Sequence, residues 1–137
     1  RKAVKKILQA LGKEIYFPRE ETLDQVTALS SSGPAYFYYF IESLAHAGIK
    51  IGLTKTHASI LAYQTAVGVM ELLKLRVGGE NSQSLKTVAR LREQVTSPGG
   101  TTEAALNVLR AENFEGIIVR AAKVAHRRAS QLSKMYS

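Results

Sequence analysis

The stretch "PAYFYYFIESLAHAG", residues 34–48, constrains this chain more than any other. It is apolar nearly all round at helical spacing, and a helix of that kind is buried on most sides or packed against a partner chain. Thr54 stands where it can cap a second long helix through "KTHASILAYQTAVGVMELLKL", residues 55–75. That run sets small residues (Ala58, Ala62, Ala66, Gly68) among large ones, and small side chains let helices approach closely. Two helices this apolar are out of place on the surface of a small monomer, because large exposed apolar patches are rare there. The expectation is an obligate dimer.

The remaining pattern is helical too. "LDQVTALSSSG", residues 23–33, reads as a short helix that breaks at the serines and Gly33, and Pro34 suits the first position of the next helix. Gly48 reads as the end of that helix. "RVGGENSQ" (76–83) reads as a loop and "SLKTVARLREQV" (84–95) as an amphipathic helix. A helix over about Thr102 to Glu112, a break at "NFEG" (113–116) and a final helix over 117–136 complete the body. Near the start, Ala3, Val4, Ile7, Leu8 and Leu11 have helical spacing, and Gly12 is a natural stop. "KEIYFP" (13–18) reads as a short strand ended by Pro18. The fold class is therefore all-α, with about five helices, no strand after residue 17 and no fixed-period repeat.

Composition narrows the functions. A chain of 137 residues suits one domain with a core, and 45% hydrophobic residues argue against disorder. With no Cys, disulfides, a thiol nucleophile and Cys-bound zinc are excluded, and a reducing, cytoplasmic setting is expected. There is no apolar run of about 18 residues, so no membrane span is expected. "RKAVKKILQALG" lacks the plan of a secretory signal. The sequence opens on Arg1, inside a helical pattern, which reads as a fragment of a longer protein.

A net charge of +8 raises the question of nucleic acid. The basic residues are spread out except for "KK" at 5–6 and "HRR" at 126–128, and no zinc-finger or RNP motif accompanies them. The expectation is no nucleic acid, the charge serving solubility or an acidic partner domain. His46, His57 and His126 stand apart from one another without metal-ligand spacing, so no metal is expected.

One motif carries chemistry. In "TSPGGTTEAAL", residues 96–106, four hydroxyls (Thr96, Ser97, Thr101, Thr102) crowd around Gly99 and Gly100 ahead of a helix. Thr101 or Thr102 fits the N-cap. A helix N-terminus offers unpaired N–H groups and the positive end of the macrodipole, so the segment suits a small anion, carboxylate or phosphate. A turn plus a cap with no ligand accounts for the same residues. The segment lacks the Lys of a P-loop and the spacing of a dinucleotide fingerprint. "TALSSSGPAYFYYF" poses the same choice between caps and a polar pocket, and Tyr36, Tyr38 and Tyr39 read as core or interface aromatics.

Taken together, "LREQVTSPGGTTEAALNVL" and "VTALSSSGPAYFYYFIESLAHAGIKIGL" resemble the two hallmark segments of Δ1-pyrroline-5-carboxylate reductases, in the same order and separated by a long helix. The resemblance runs from about Lys2 to Ser133. It implies an N-terminal Rossmann domain that binds NAD or NADP, and a C-terminal all-α domain that forms an interlocked homodimer, of the 6-phosphogluconate dehydrogenase C-terminal type, sometimes built into larger rings. On it, residues 1–22 are a helix-strand remnant of the Rossmann domain and 23–137 the dimerisation and substrate-binding domain, inactive alone. The implied reaction is reduction of the cyclic imine of pyrroline-5-carboxylate to proline, the last step of proline biosynthesis.

The resemblance also implies residue roles. Ser97 and the backbone N–H groups of Gly100, Thr101 and Thr102 hold the substrate carboxylate, with Val95 and Gly99 in the same pocket. Thr102 is the catalytic hydroxyl, near the ring nitrogen as donor or orienter. Thr27 and the serines before Gly33, Ser32 among them, line the nicotinamide side, and Gln94 stands at the pocket rim. Ser31 departs from the family pattern, which usually has Gly there; a position needing positive φ would strain it. The 74–93 segment is longer than the pattern. Two alternatives stay open: a helical assembly module that lost catalysis, and a basic nucleic-acid binder whose affinity falls steeply with salt.

Overall fold

The computed structural model describes residues 15–76 and 85–136. The chain divides into two compact units, residues 33–120 and residues 1–32 with 121–137. Six helices are described: α1 (Thr22–Val26), α2 (Gly33–Lys50), α3 (Lys55–Arg76), α4 (Leu85–Gln94), α5 (Thr101–Ala111) and α6 (Phe114–Tyr136). Five of them have ten residues or more, and no strand occurs among the described residues. The expected strand is a correction: Ile15–Phe17, its described part, is not a strand. An isolated extended segment has no neighbour to accept its backbone hydrogen bonds. The expected helix over 2–11 and most of the 76–83 loop lie outside the described residues.

The larger unit is organised by the antiparallel pair α2 and α3. Gly48 does not end α2, which runs on to Lys50. The helix ends instead where Gly52 takes φ +107. The Leu53 N–H donates to Gly48 O and the Gly52 N–H to Ile49 O, both at 3.0 Å, the paired bonds of a Schellman stop that needs a left-handed residue. Thr54 then caps α3 as expected: its Oγ1 accepts the His57 N–H at 3.2 Å.

Gly48 has a different role. A Cβ there would lie 3.0 Å from Ala58 Cβ, so its bare backbone allows α2 and α3 to meet. Ala58 and Ala62, on the contact face of α3, are 2% and 3% exposed.

The buried apolar side chains among the described residues are all alanines. Tyr38 and Tyr39 on α2 are 71% and 72% exposed, and Ile60, Leu61, Tyr63 and Met70 on α3 also face solvent. Apolar residues spread round the whole circumference of α3 without one preferred face. Each large side chain left in water forgoes about 1.5–3 kcal/mol of burial. No described helix is long and apolar enough to cross a membrane.

In the smaller unit, α1 continues without a break into a π-helical turn, Thr27–Ser31, closed by the Ser32 N–H donating to Thr27 O at 3.0 Å. Ala28 and Ala129 are its buried alanines. The junction before α6 is tighter than expected. Only Asn113, at φ +52, breaks the helical course, and its Oδ1 accepts the Gly116 N–H at 3.2 Å.

Gly48→Ala tests the helix pair. Overpacking costs about 1–3 kcal/mol, against a helix-propensity gain of roughly 1 kcal/mol at most. A lower denaturation midpoint with an unchanged slope is the expected result.

Candidate functional site

The turn between α4 and α5 is built by its sequence. Ser97–Gly100 forms a β-turn in which the Gly100 N–H donates to Ser97 O at 3.0 Å. Pro98 takes the second position and Gly99 the third with φ +69, the arrangement of a type II turn. Gly99 is needed because that φ disfavours any side chain. Gly100 is needed for space: a Cβ there would sit 3.0 Å from Ser97 O.

The capping expectation is corrected. The N-cap of α5 is Gly100, at φ −84 and ψ 171, and no side chain caps it. Thr101 and Thr102 are already helical, so neither takes the extended backbone that an N-cap requires. The turn is held from the other direction. Glu103, in the first turn of α5, accepts the Gly99 N–H on its Oε2 at 2.8 Å. A carboxylate at the third helical position reaching back is the logic of a capping box, shifted by one residue. The acidic residue three places after Gly100 was a readable signal that motif reasoning missed.

This arrangement decides which polar groups are engaged. The Thr96 hydroxyl donates to Arg92 O at 2.7 Å and is taken. The Gly100 N–H is taken by the β-turn. The hydroxyls of Ser97, Thr101 and Thr102 make no hydrogen bond with another described residue. The N–H groups of Thr101 and Thr102 stand at the positive end of α5. Ser97 and Thr101 are exposed and Thr102 is half-buried. Val95 and Gln94, at the end of α4, are exposed.

The structure therefore gathers Gln94, Val95, Ser97, Gly99, Gly100, Thr101 and Thr102 into one turn and the two helix ends that flank it. Thr27 and Ser32 lie in the smaller unit, at the two ends of the π-helical turn. Ser31 lies within that turn without strain, since Asn113 is the one non-glycine at positive φ among the described residues. Four open clefts of 380, 370, 400 and 230 Å³ mark the larger unit, and none is lined by these site residues. The second cleft is wholly apolar, walled by Phe37, Phe40, Leu44, Val69 and Met70 among others.

Glu103→Ala tests the turn. Loss of one charge-assisted hydrogen bond costs about 1.5–3 kcal/mol when buried and less at this exposed position. Amide exchange at Gly99 and Gly100 should quicken while α2 and α3 stay protected; unchanged exchange would mean that Glu103 does not hold the turn.

Comparison with known proteins bears on this geometry. The family model described as pyrroline-5-carboxylate reductase dimerisation matches residues 20–132. The pyrroline-5-carboxylate reductase of Pseudomonas aeruginosa is 38% identical over 128 residues, covering 93% of this chain and 44% of its own length. That of Mycobacterium tuberculosis is 41% identical over 138 residues, with 94% and 46% covered. Among solved structures, a Coxiella burnetii pyrroline-5-carboxylate reductase superposes with TM-score 0.81 at 38% identity, covering 96% of this chain and 46% of that one. A Plasmodium falciparum pyrroline carboxylate reductase with NADP bound gives 0.74 at 34% identity, with 93% and 45% covered. The chain thus spans less than half the length of these relatives. With an all-helical fold shared along nearly its whole length, this chain belongs to the pyrroline-5-carboxylate reductase family, in the part of it that dimerises.

Proposed function

We propose that this chain is the dimerisation and substrate-binding part of an NAD(P)H-dependent reductase that converts pyrroline-5-carboxylate to proline. Residues 1–22 are the end of a nucleotide-binding domain and 23–137 the helical domain. The observation that carries the reading is the set of hydroxyls in the turn and first residues of α5 that bond to no other described residue: Ser97, Thr101 and Thr102. A turn that existed only to cap a helix would use one of them as the cap, and this one uses none.

The substrate is a small ring with one carboxylate. That carboxylate lies across the α5 N-terminus, taking the N–H groups of Thr101 and Thr102 and the hydroxyl of Ser97. The helix end contributes about 0.3–1 kcal/mol towards an anion, in addition to the hydrogen bonds. Gly99 and Gly100 contribute bare backbone that lets the ring approach, and Val95 and Gln94 border the pocket. The Thr102 hydroxyl meets the ring nitrogen and holds the imine in one orientation. An imine of this basicity takes its proton from water, so no strong acid is required of the protein.

A bound nicotinamide dinucleotide supplies the hydride. The hydroxyls of Thr27, Ser30, Ser31 and Ser32 form a donor set suited to a carboxamide edge, and these residues fit the nicotinamide end. Nothing among the described residues resembles a pyrophosphate cradle, which falls to the nucleotide-binding domain. A second copy covers the apolar faces of α2 and α3 and completes the walls around the turn.

Thr102→Val, in the protein together with its nucleotide-binding domain, removes one hydrogen bond to the reacting ring. The expected loss is about 1.5–3 kcal/mol of transition-state binding, a roughly ten- to hundredfold lower kcat/KM. Melting should be nearly unchanged, because this hydroxyl bonds to no other described residue. NADPH oxidation on added pyrroline-5-carboxylate is the assay. Full activity in the variant refutes the role given to Thr102.

A further inference from the structure

The proposed reaction leaves one strong polar contact of the smaller unit unexplained. The Asp24 carboxylate accepts the Ser130 hydroxyl on Oδ2 and the Ser133 hydroxyl on Oδ1, each at 2.7 Å. The two serines stand one turn apart on α6, so they present paired donors to one carboxylate. They lie 106 and 109 residues from Asp24 in sequence, which makes this a tertiary clamp rather than a local cap. The serine hydroxyls hold the Asp24 carboxyl below its ordinary value, with His126 and Lys134 acting in the same direction against desolvation. Ala28, four residues after Asp24, and Ala129, next to Ser130, are buried, while the bond to Ser130 is part-buried and the bond to Ser133 exposed.

Asp24 is also well placed in the chain. It lies in the short helix α1, and its own carbonyl accepts the Thr27 N–H. The π-helical turn Thr27–Ser31 follows directly, closed by the bond from Ser32 N–H to Thr27 O. A π-helical turn is rare, and such turns gather at functional sites. Because α1 and the turn form one continuous rod, whatever fixes Asp24 fixes Thr27 through Ser32.

We propose that Asp24 is a positioning residue: by clamping α1 to Ser130 and Ser133 it sets the register of the π turn and so aims the Thr27 and Ser32 hydroxyls at the nicotinamide end of a bound dinucleotide. This rests on the reading of Thr27 and Ser32 given above.

The test uses Asp24→Asn and Ser130→Ala in the protein joined to its nucleotide-binding domain; alanine keeps α6 helical. NADPH affinity is read by titration of nicotinamide fluorescence, and local order by amide exchange. Each variant should bind NADPH about three- to tenfold more weakly. Exchange should quicken at residues 27–32 and not at 101–103, and KM for pyrroline-5-carboxylate at saturating NADPH should stay unchanged. Should Asp24→Asn melt α1, Ser133→Ala, which removes one donor, carries the same expectation at smaller size. Faster exchange at 27–32 with unaltered NADPH affinity would overturn the proposal, since the clamp would then serve stability alone. Wild-type protein that failed to bind NADPH would instead bring down the reading of Thr27 and Ser32, and this proposal with it.

Discussion

Ala28, Ala58, Ala62 and Ala129 are the apolar side chains that the described residues bury, and none of them is large. Phe37, Tyr38, Tyr39, Ile60 and Tyr63 stay more than half exposed. Burial of alanines alone does not offset the conformational entropy of ordering helices of this length. Everything else in the molecule depends on where those aromatic and aliphatic faces go. The close approach at Gly48 and Ala58 brings α2 and α3 together through small residues and leaves their large apolar side chains exposed. A second copy of the same chain is the proposed occupant, and the family model matched over residues 20–132, one of dimerisation, supports it.

The site follows from the same economy of side chains. Small residues at 97–102 make a turn with almost no bulk, and the cap is a glycine rather than a threonine. Glu103 holds the turn from inside the helix, and the hydroxyls of Ser97, Thr101 and Thr102 bond to no other described residue. In the proposed reading, stability and recognition then fall to different groups within seven residues. None of the four clefts described above is lined by these groups.

Much of this was legible in the sequence where the cause is local. The all-round apolar run at 34–48, the Thr54 cap and the Pro-Gly turn each act through neighbours within a few residues, and each appears where expected. The errors also have local physical reasons. Gly48 looked like a helix stop because glycine commonly is one, yet the stop needs positive φ, and Gly52 has it. Thr101 looked like a cap because its hydroxyl is suited to one, yet Gly100 already held the extended backbone. The strand expected near Ile15 had the right residues, but no partner strand lies among the described residues. The Asp24 clamp was invisible for another reason: its partners lie more than a hundred residues away, and no periodicity encodes such a pairing.

The most direct test of the central claim is the mass of this chain in solution, by light scattering on a sizing column at high salt, where its net charge of +8 is screened. The account predicts twice the chain mass of 15.0 kDa, or a higher multiple, independent of salt. A well-folded monomer at micromolar concentration would contradict it, because the exposed faces of α2 and α3 would then have to be stable in water with nothing to cover them.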